Sequence, residues 1–315
     1  MGNRIEELDL LKSIAIICVV VGHVHLFAYP QGNPEDWTYR VIYSFHMPLF
    51  MVISGLLSAR LFERPIIRTI VSKFRRIIIP CIVWQVVTCL LIYSFNKGAI
   101  FNEYWYLKCL FLCVILTVLV SKIFKHRLHC LVVCVLITWL IPNVWNIPYM
   151  YPFFCLGVAA GRMDWLALIA RHTMSCILVC AVLEVLLLPF WHGWMSQDFS
   201  RLDLFIYNAS YWRDLYAFAY RIVIALNACI LLFCLFHMLL SRFRLGLIKD
   251  IGCQSLGIYL VHSIILNKLL PIHLDMPKFF TVVLISLVVL SGSFLICKVL
   301  SLNKYTSEFM LGEWQ

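Results

Sequence analysis

Apolar runs of about 20 residues recur along the whole chain, and no other feature constrains it more. A helix needs about 20 mostly apolar residues to cross the hydrocarbon core of a bilayer. Ten stretches meet or approach that length: 10–28, 42–61, 77–95, 105–121, 128–145, 147–161, 174–192, 215–239, 253–271 and 279–300. Of the 315 residues, 63% are hydrophobic and 13% are charged. A soluble chain carries about 25% charged residues, so polar side chains are too scarce here to cover a surface facing water. The expected fold is all-α: a polytopic bundle of ten transmembrane helices. It forms one membrane domain over 1–315, with no appended soluble domain. The longest connection, 193–214, lies between the seventh and eighth runs, and no internal repeat is visible.

The formal charge of +10 does not point to nucleic acid, because the basic residues sit in short connections between apolar runs. Lys and Arg accumulate on the cytoplasmic side of membrane proteins. With both termini cytoplasmic, 18 of the 26 fall in inner segments or at inner mouths, and five (Arg40, Lys97, Arg201, Arg213, Lys278) fall outside. The outer connections also carry seven acids, among them Asp198, Asp203 and Asp214. Residues 1–9 hold three acids ahead of the first run, so no cleavable leader is expected. All 14 cysteines lie in or beside apolar runs. They read as small packing residues, and neither a disulfide framework nor a metal site is expected.

Ionisable groups inside a span are costly and mark function. The first run reads LDLLKSIAIICVVVGHVHLF, with Lys12 and His23 11 residues apart. Eleven residues make three helical turns, so both side chains leave one face, about 16 Å apart along the axis. The second run contains FHMPLFMVISG and returns antiparallel, which brings His46 to the depth of His23. Lys108, Arg221 and Lys268 join that outer layer, while Glu184 and His262 lie nearer the midplane. Alternative roles weigh against some of these. His25 and His262 serve equally well as helix-to-helix hydrogen-bond partners, and Lys268 fits snorkelling. Glu184 is expected to pair with a basic residue such as Arg221, as a structural ion pair or a catalytic one. Gly55 and Gly157 read as close helix-packing positions. The first inner connection holds Arg60, Arg64, Arg68, Lys73, Arg75 and Arg76 against one acid, Glu63. Six basic residues in 17 positions exceed what topology and anionic lipid require, and they suit a phosphorylated cytosolic ligand.

RIEELDLLKSIAIICVVVGH followed by FHMPLFMVISG resembles the start of the acyltransferase-3 family of bacterial integral-membrane acyltransferases, in particular the fucose and O-antigen acetylase type. That family carries Arg or Lys, ten residues, then His in its first span, which Lys12 and His23 match. Its Arg/Lys-x-x-Arg motif is met by Lys73 and Arg76, ahead of Pro80. WYLKCLF at 105–111, FFCLGVAAGR at 153–162 and SLGIYLVHSII at 255–265 resemble later signatures. Lys at position 12 departs from the commoner Arg, keeping the charge but losing the bidentate fork.

The resemblance implies transfer of an acyl group, usually acetyl, from cytosolic acyl-CoA to a hydroxyl of a surface polysaccharide or lipid-linked sugar, in the bacterial inner membrane and without a metal. Arg68, Lys73, Arg75 and Arg76 would hold the donor's phosphates, and Lys12 would stand at its entry. His23 would act as general base or transient acyl carrier. His46 and Lys108 would polarise the carbonyl or stabilise the tetrahedral oxyanion. Trp105, Tyr106, Glu184 and Arg221 would meet the acceptor. A transporter or flippase of a lipid-linked sugar is the rival, sharing the spans and the buried charges.

Overall fold

A computed structural model describes residues 6–27, 36–59, 64–93, 103–123, 127–137, 144–163, 165–192, 211–240, 242–243, 245–269 and 276–314. The side chains of 93, 127–128 and 211–215 are not described, and Arg60, Glu63, Asp198 and Asp203 lie outside the described residues. Every described element is helical. In chain order they are α1 (Glu6–Phe27), α2 (Trp37–Leu57), α3 (Ile66–Ile92), α4 (Trp105–Ile123), α5 (Arg127–Ile137), α6 (Ile147–Ala160) and α7 (Trp165–Arg171). These are followed by α8 (Thr173–Leu187), α9 (Tyr211–Leu240), α10 (Gly246–Cys253), α11 (Ser255–Leu269), α12 (Lys278–Leu300) and α13 (Lys304–Leu311).

Seven of these, α8 taken on to Phe190 through its last turn, are long and apolar enough to cross a membrane, or eight if the bent pair α6–α7 forms one span. They match the first, second, third, fourth, seventh, eighth and tenth predicted runs. The fifth run meets the 11-residue α5, beyond which 138–143 are not described, and the ninth meets the 15-residue α11. Leu178, Val179, Val182, Val185 and Leu186 of α8 face outward, as side chains in lipid must. All 14 cysteines are free thiols and 11 are buried, consistent with packing.

One expectation needs correcting. The basic stretch is not a loop up to Arg76: helix begins at Ile66, and α3 runs on through Lys73, Arg75 and Arg76. Pro80 has no N–H for the carbonyl of Arg76 four residues back. The turn therefore widens, Ile79 donating to Phe74 in an i to i−5 bond across the π-helical Phe74–Ile78.

Two junctions hold the core. Gly55 of α2 faces the backbone of Phe154 and Val158 on α6, and Gly157 of α6 faces the backbone of Val52 on α2. Any Cβ at either position would overlap a carbonyl oxygen. At the base of α1, Gly252 of α10 sits against the carbonyl of Asp9, and the Ser13 hydroxyl donates to the carbonyl of Ile248. Glu6 pairs with Lys249, and Gly257 at the start of α11 touches Leu311 of α13. Glu6 and Trp314 thus lie at the same end of the bundle. Because backbone cannot step aside, Gly157→Ala should cost about 1–3 kcal/mol and lower the thermal midpoint in detergent. Gly246→Ala, which has nothing within 4 Å to meet, should leave that midpoint unchanged.

Candidate active site

Lys12 and His23 leave α1 as their spacing demands. Lys12 lies nearly two turns above the helix start, its Nζ donating to Asp9 Oδ1 at 3.2 Å. His23 stands about 16 Å away along the axis, half-buried near the opposite end.

The hydrogen bonds around His23 assign its protons. On α11, the Nδ1 of His262 lies 3.1 Å from the carbonyl of Ile258, one turn back. A carbonyl only accepts, so Nδ1 of His262 carries hydrogen and, with one proton per ring, Nε2 holds the lone pair. That Nε2 is 2.9 Å from Nδ1 of His23. His23 must therefore donate from Nδ1, which leaves the lone pair on its own Nε2. This is the tautomer of an oriented general base. His46 shows the same local device, its Nδ1 donating to Ile42 at 2.6 Å. In the neutral ring its Nε2 is thus an acceptor.

His23 lies in the wall between two cavities. One, of ≈ 230 Å³, is lined by His262, Ser263 and Asn267 of α11 together with Glu103, Tyr104 and Trp105. The other, of ≈ 170 Å³, is lined by Tyr39, Tyr43 and His46 of α2, Asn146, Tyr149 and Arg221. Trp105 and Tyr259 border both. The Arg221 guanidinium stands 3.7 Å above the ring of Tyr149. Burial pushes the Glu103 carboxyl up, against the opposing pull of the neighbouring Ser263 hydroxyl and the Lys108 ammonium. Tyr104 and Asn146 hold left-handed backbone, with φ of 53° and 58°. Such strain in non-glycine residues gathers where a site over-determines the chain. Tyr104 is pinned by its hydroxyl, which donates to Leu260 at 3.0 Å and receives Thr88 at 2.8 Å.

Not every expected residue joins this layer. Lys108 turns back to the carbonyl of Glu103 at 2.7 Å and faces the ring of Trp145, lining neither cavity. Tyr106 is buried against Phe50 and Tyr259, its hydroxyl 3.2 Å from Ser54. Glu184 accepts from Asn227 at 2.6 Å, so the expected Glu184–Arg221 pair does not form. Lys268 reaches the carbonyl of Leu91, and His25 lies 3.4 Å from Asp36. Arg68, Arg75 and Arg76 are exposed on α3, with Lys73 half-buried beside them. They sit at the other end of the bundle from the cavities: Arg76 is 12 residues, about 18 Å of helix, below Thr88. Sequence reasoning missed His262, Glu103 and Asn146 as site residues. The one available signal was that His262 is an ionisable residue inside an apolar run, read there as lying nearer the midplane.

Comparison with known proteins gives two relatives and a family. Two curated relatives are each called nodulation protein NolL. The one from Mesorhizobium japonicum is 26% identical over 190 residues, 52% of this chain and 50% of the relative. The one from Sinorhizobium fredii is 28% identical over 181 residues, 50% of this chain and 48% of the relative. The chain thus spans about half the length of the curated relatives it matches. No solved structure matches. The model of the acyltransferase-3 family, described as an acyltransferase domain, matches residues 5–301, and the chain belongs to that family.

Proposed function

We propose that the protein is an O-acyltransferase of the bacterial inner membrane. It moves an acyl group, acetyl above all, from cytosolic acyl-CoA to a hydroxyl of a surface polysaccharide or a lipid-linked sugar. The observation that carries this reading is His23, with Nδ1 tied to His262 and Nε2 free, between two cavities. Two substrates must meet at one base, and two chambers sharing that base suit such a reaction. Family membership favours this over a flippase.

In the proposed chemistry, Nε2 of His23 takes the proton of the sugar hydroxyl as its oxygen attacks the thioester carbonyl. The tetrahedral oxyanion forms near Arg221, the cation that shares a cavity with His23. The carbon–sulfur bond then breaks, and the leaving thiolate recovers the proton from Nε2. Products are the sugar ester and free CoA thiol. His262 does not touch substrate in this scheme and acts by fixing the His23 tautomer. His46, with its Nε2 lone pair, is suited to accept from an acceptor hydroxyl. Trp105 supplies an aromatic face to both cavities. The donor's phosphates belong at Arg68, Lys73, Arg75 and Arg76, and its long pantetheine arm would bridge the roughly 16–18 Å to His23. Termini in the cytoplasm would put the basic cluster on the side where acyl-CoA resides.

Inside-out vesicles from the native host, given radiolabelled acetyl-CoA, test this reading through label in alkali-labile, glycan-bound ester. His23→Ala should lose about 10²–10⁴-fold in rate. Arg76→Ala should be rescued by more acetyl-CoA. Label independent of the protein, or unchanged in His23→Ala, would contradict the assignment. His262→Asn should lower kcat about 10²-fold while leaving KM for acetyl-CoA within about twofold, because the basic cluster is untouched. A change confined to KM would refute the tautomer role.

A further inference from the structure

The basic cluster carries a second feature, supplied by a segment beyond the 5–301 stretch shared with the family. Helix α13 begins on Asn303, whose side chain accepts from the N–H of Tyr305, and ends at Gly312 in the left-handed region (φ 70°). That turn sends residues 312–314 back over the widened turn of α3. Gly312 is packed so closely on the carbonyl of Arg76 and the ring of Pro80 that a Cβ would overlap them. Trp84 of α3 donates its indole N–H to the carbonyl of Met310 at 2.8 Å, and Leu311 is buried. The segment is thus bolted down on both sides of its turn.

From that anchorage Trp314 meets both arginines. Its carbonyl accepts from Arg76 Nη2 at 2.8 Å, and the Arg75 guanidinium lies 5.5 Å from the centre of its ring. Phe309 packs edge-on against the same ring at 5.1 Å. The nearby acid, Glu313, is turned aside, accepting from the Ser307 hydroxyl at 2.6 Å. Among the described residues, no carboxylate is ion-paired with Lys73, Arg75 or Arg76. Among the described residues the two guanidiniums are therefore oriented by a neutral carbonyl and an aromatic face, neither of which cancels their charge. Such an arrangement lowers the ordering cost of binding a polyanion.

We infer that Trp314 is a positioning residue for donor binding, the tip of a C-terminal strap that presets Arg75 and Arg76 for the phosphates of acyl-CoA. The inference rests on the donor assignment made above. Trp314 reaches neither cavity around His23, so it acts on capture of the donor and not on the transfer step.

The test uses the full chain in native vesicles, with wild type, Trp314→Ala and Trp314→Phe assayed against acetyl-CoA and acetyl-3′-dephospho-CoA. Trp314→Ala should raise KM for acetyl-CoA about tenfold with kcat within about twofold, the size of a cation–π contact plus some lost order. The rise should be smaller for the dephospho donor, and Trp314→Phe should recover most of the affinity. An unchanged KM, a lowered KM (a strap that merely occludes the cluster), or equal loss of kcat with both donors and no rescue by Phe would overturn the role. Wild type that uses no acyl-CoA would fail the donor assignment itself, and that outcome is read independently of the variants.

Discussion

The glycine-on-glycine crossing of α2 and α6 is the contact on which the site depends. At Gly55 and Gly157 two backbones touch with no side chain between them. In a bilayer the hydrophobic effect does not drive helices together, and close backbone approach of this kind is a main source of cohesion. The crossing lies at the ends of α2 and α6 remote from Tyr43, His46 and Tyr149. There the aromatic rings and His46 stand between the same two helices, and a cavity remains. Tight contact at one end and polar side chains at the other make a walled chamber out of two apolar rods.

A chamber inside a membrane raises the problem of its polar groups, which have no water to turn to in the hydrocarbon. The protein satisfies three imidazoles with its own backbone and with one another. His46 and His262 each donate one turn back along their helix, and His23 donates to His262. Each helical bond fixes a tautomer, and the chain of donors ends in one unshared lone pair on His23. Satisfying these buried groups is also what leaves His23 the lone pair that the proposed base requires. Arg221 over Tyr149 follows a similar logic, an aromatic face softening the burial of a cation.

Much of this was legible in the sequence because the relevant periodicities are strict. The apolar runs marked the spans, and 11 residues between Lys12 and His23 fixed a common face whatever the rest of the bundle did. Gly55 and Gly157 were legible as packing positions because glycine inside a span lets two helices approach closely. What escaped depends on the rotation of one helix about another, which a single sequence does not carry. His262 looked like an isolated membrane histidine until α11 turned it onto His23. Glu103 looked like one of several outer acids, and Glu184 found Asn227 where a basic partner was expected. The helical basic motif was hidden because Pro80 reads as a helix start, while in the structure it widens a turn of a helix already running. Trp314 carried no signal, since its meaning lies wholly in the residues it reaches.

The central claim is that His23 is held as the Nδ1–H tautomer with a free Nε2. It is tested most directly by ¹⁵N NMR of the histidine-labelled protein in lipid bilayers, with His23 assigned by its loss in His23→Gln. The account predicts a protonated Nδ1 hydrogen-bonded to a ring nitrogen and an unprotonated Nε2, with the pattern scrambled or reversed in His262→Asn. A His23 protonated at Nε2 in the wild type, or unaltered by the loss of His262, would contradict it.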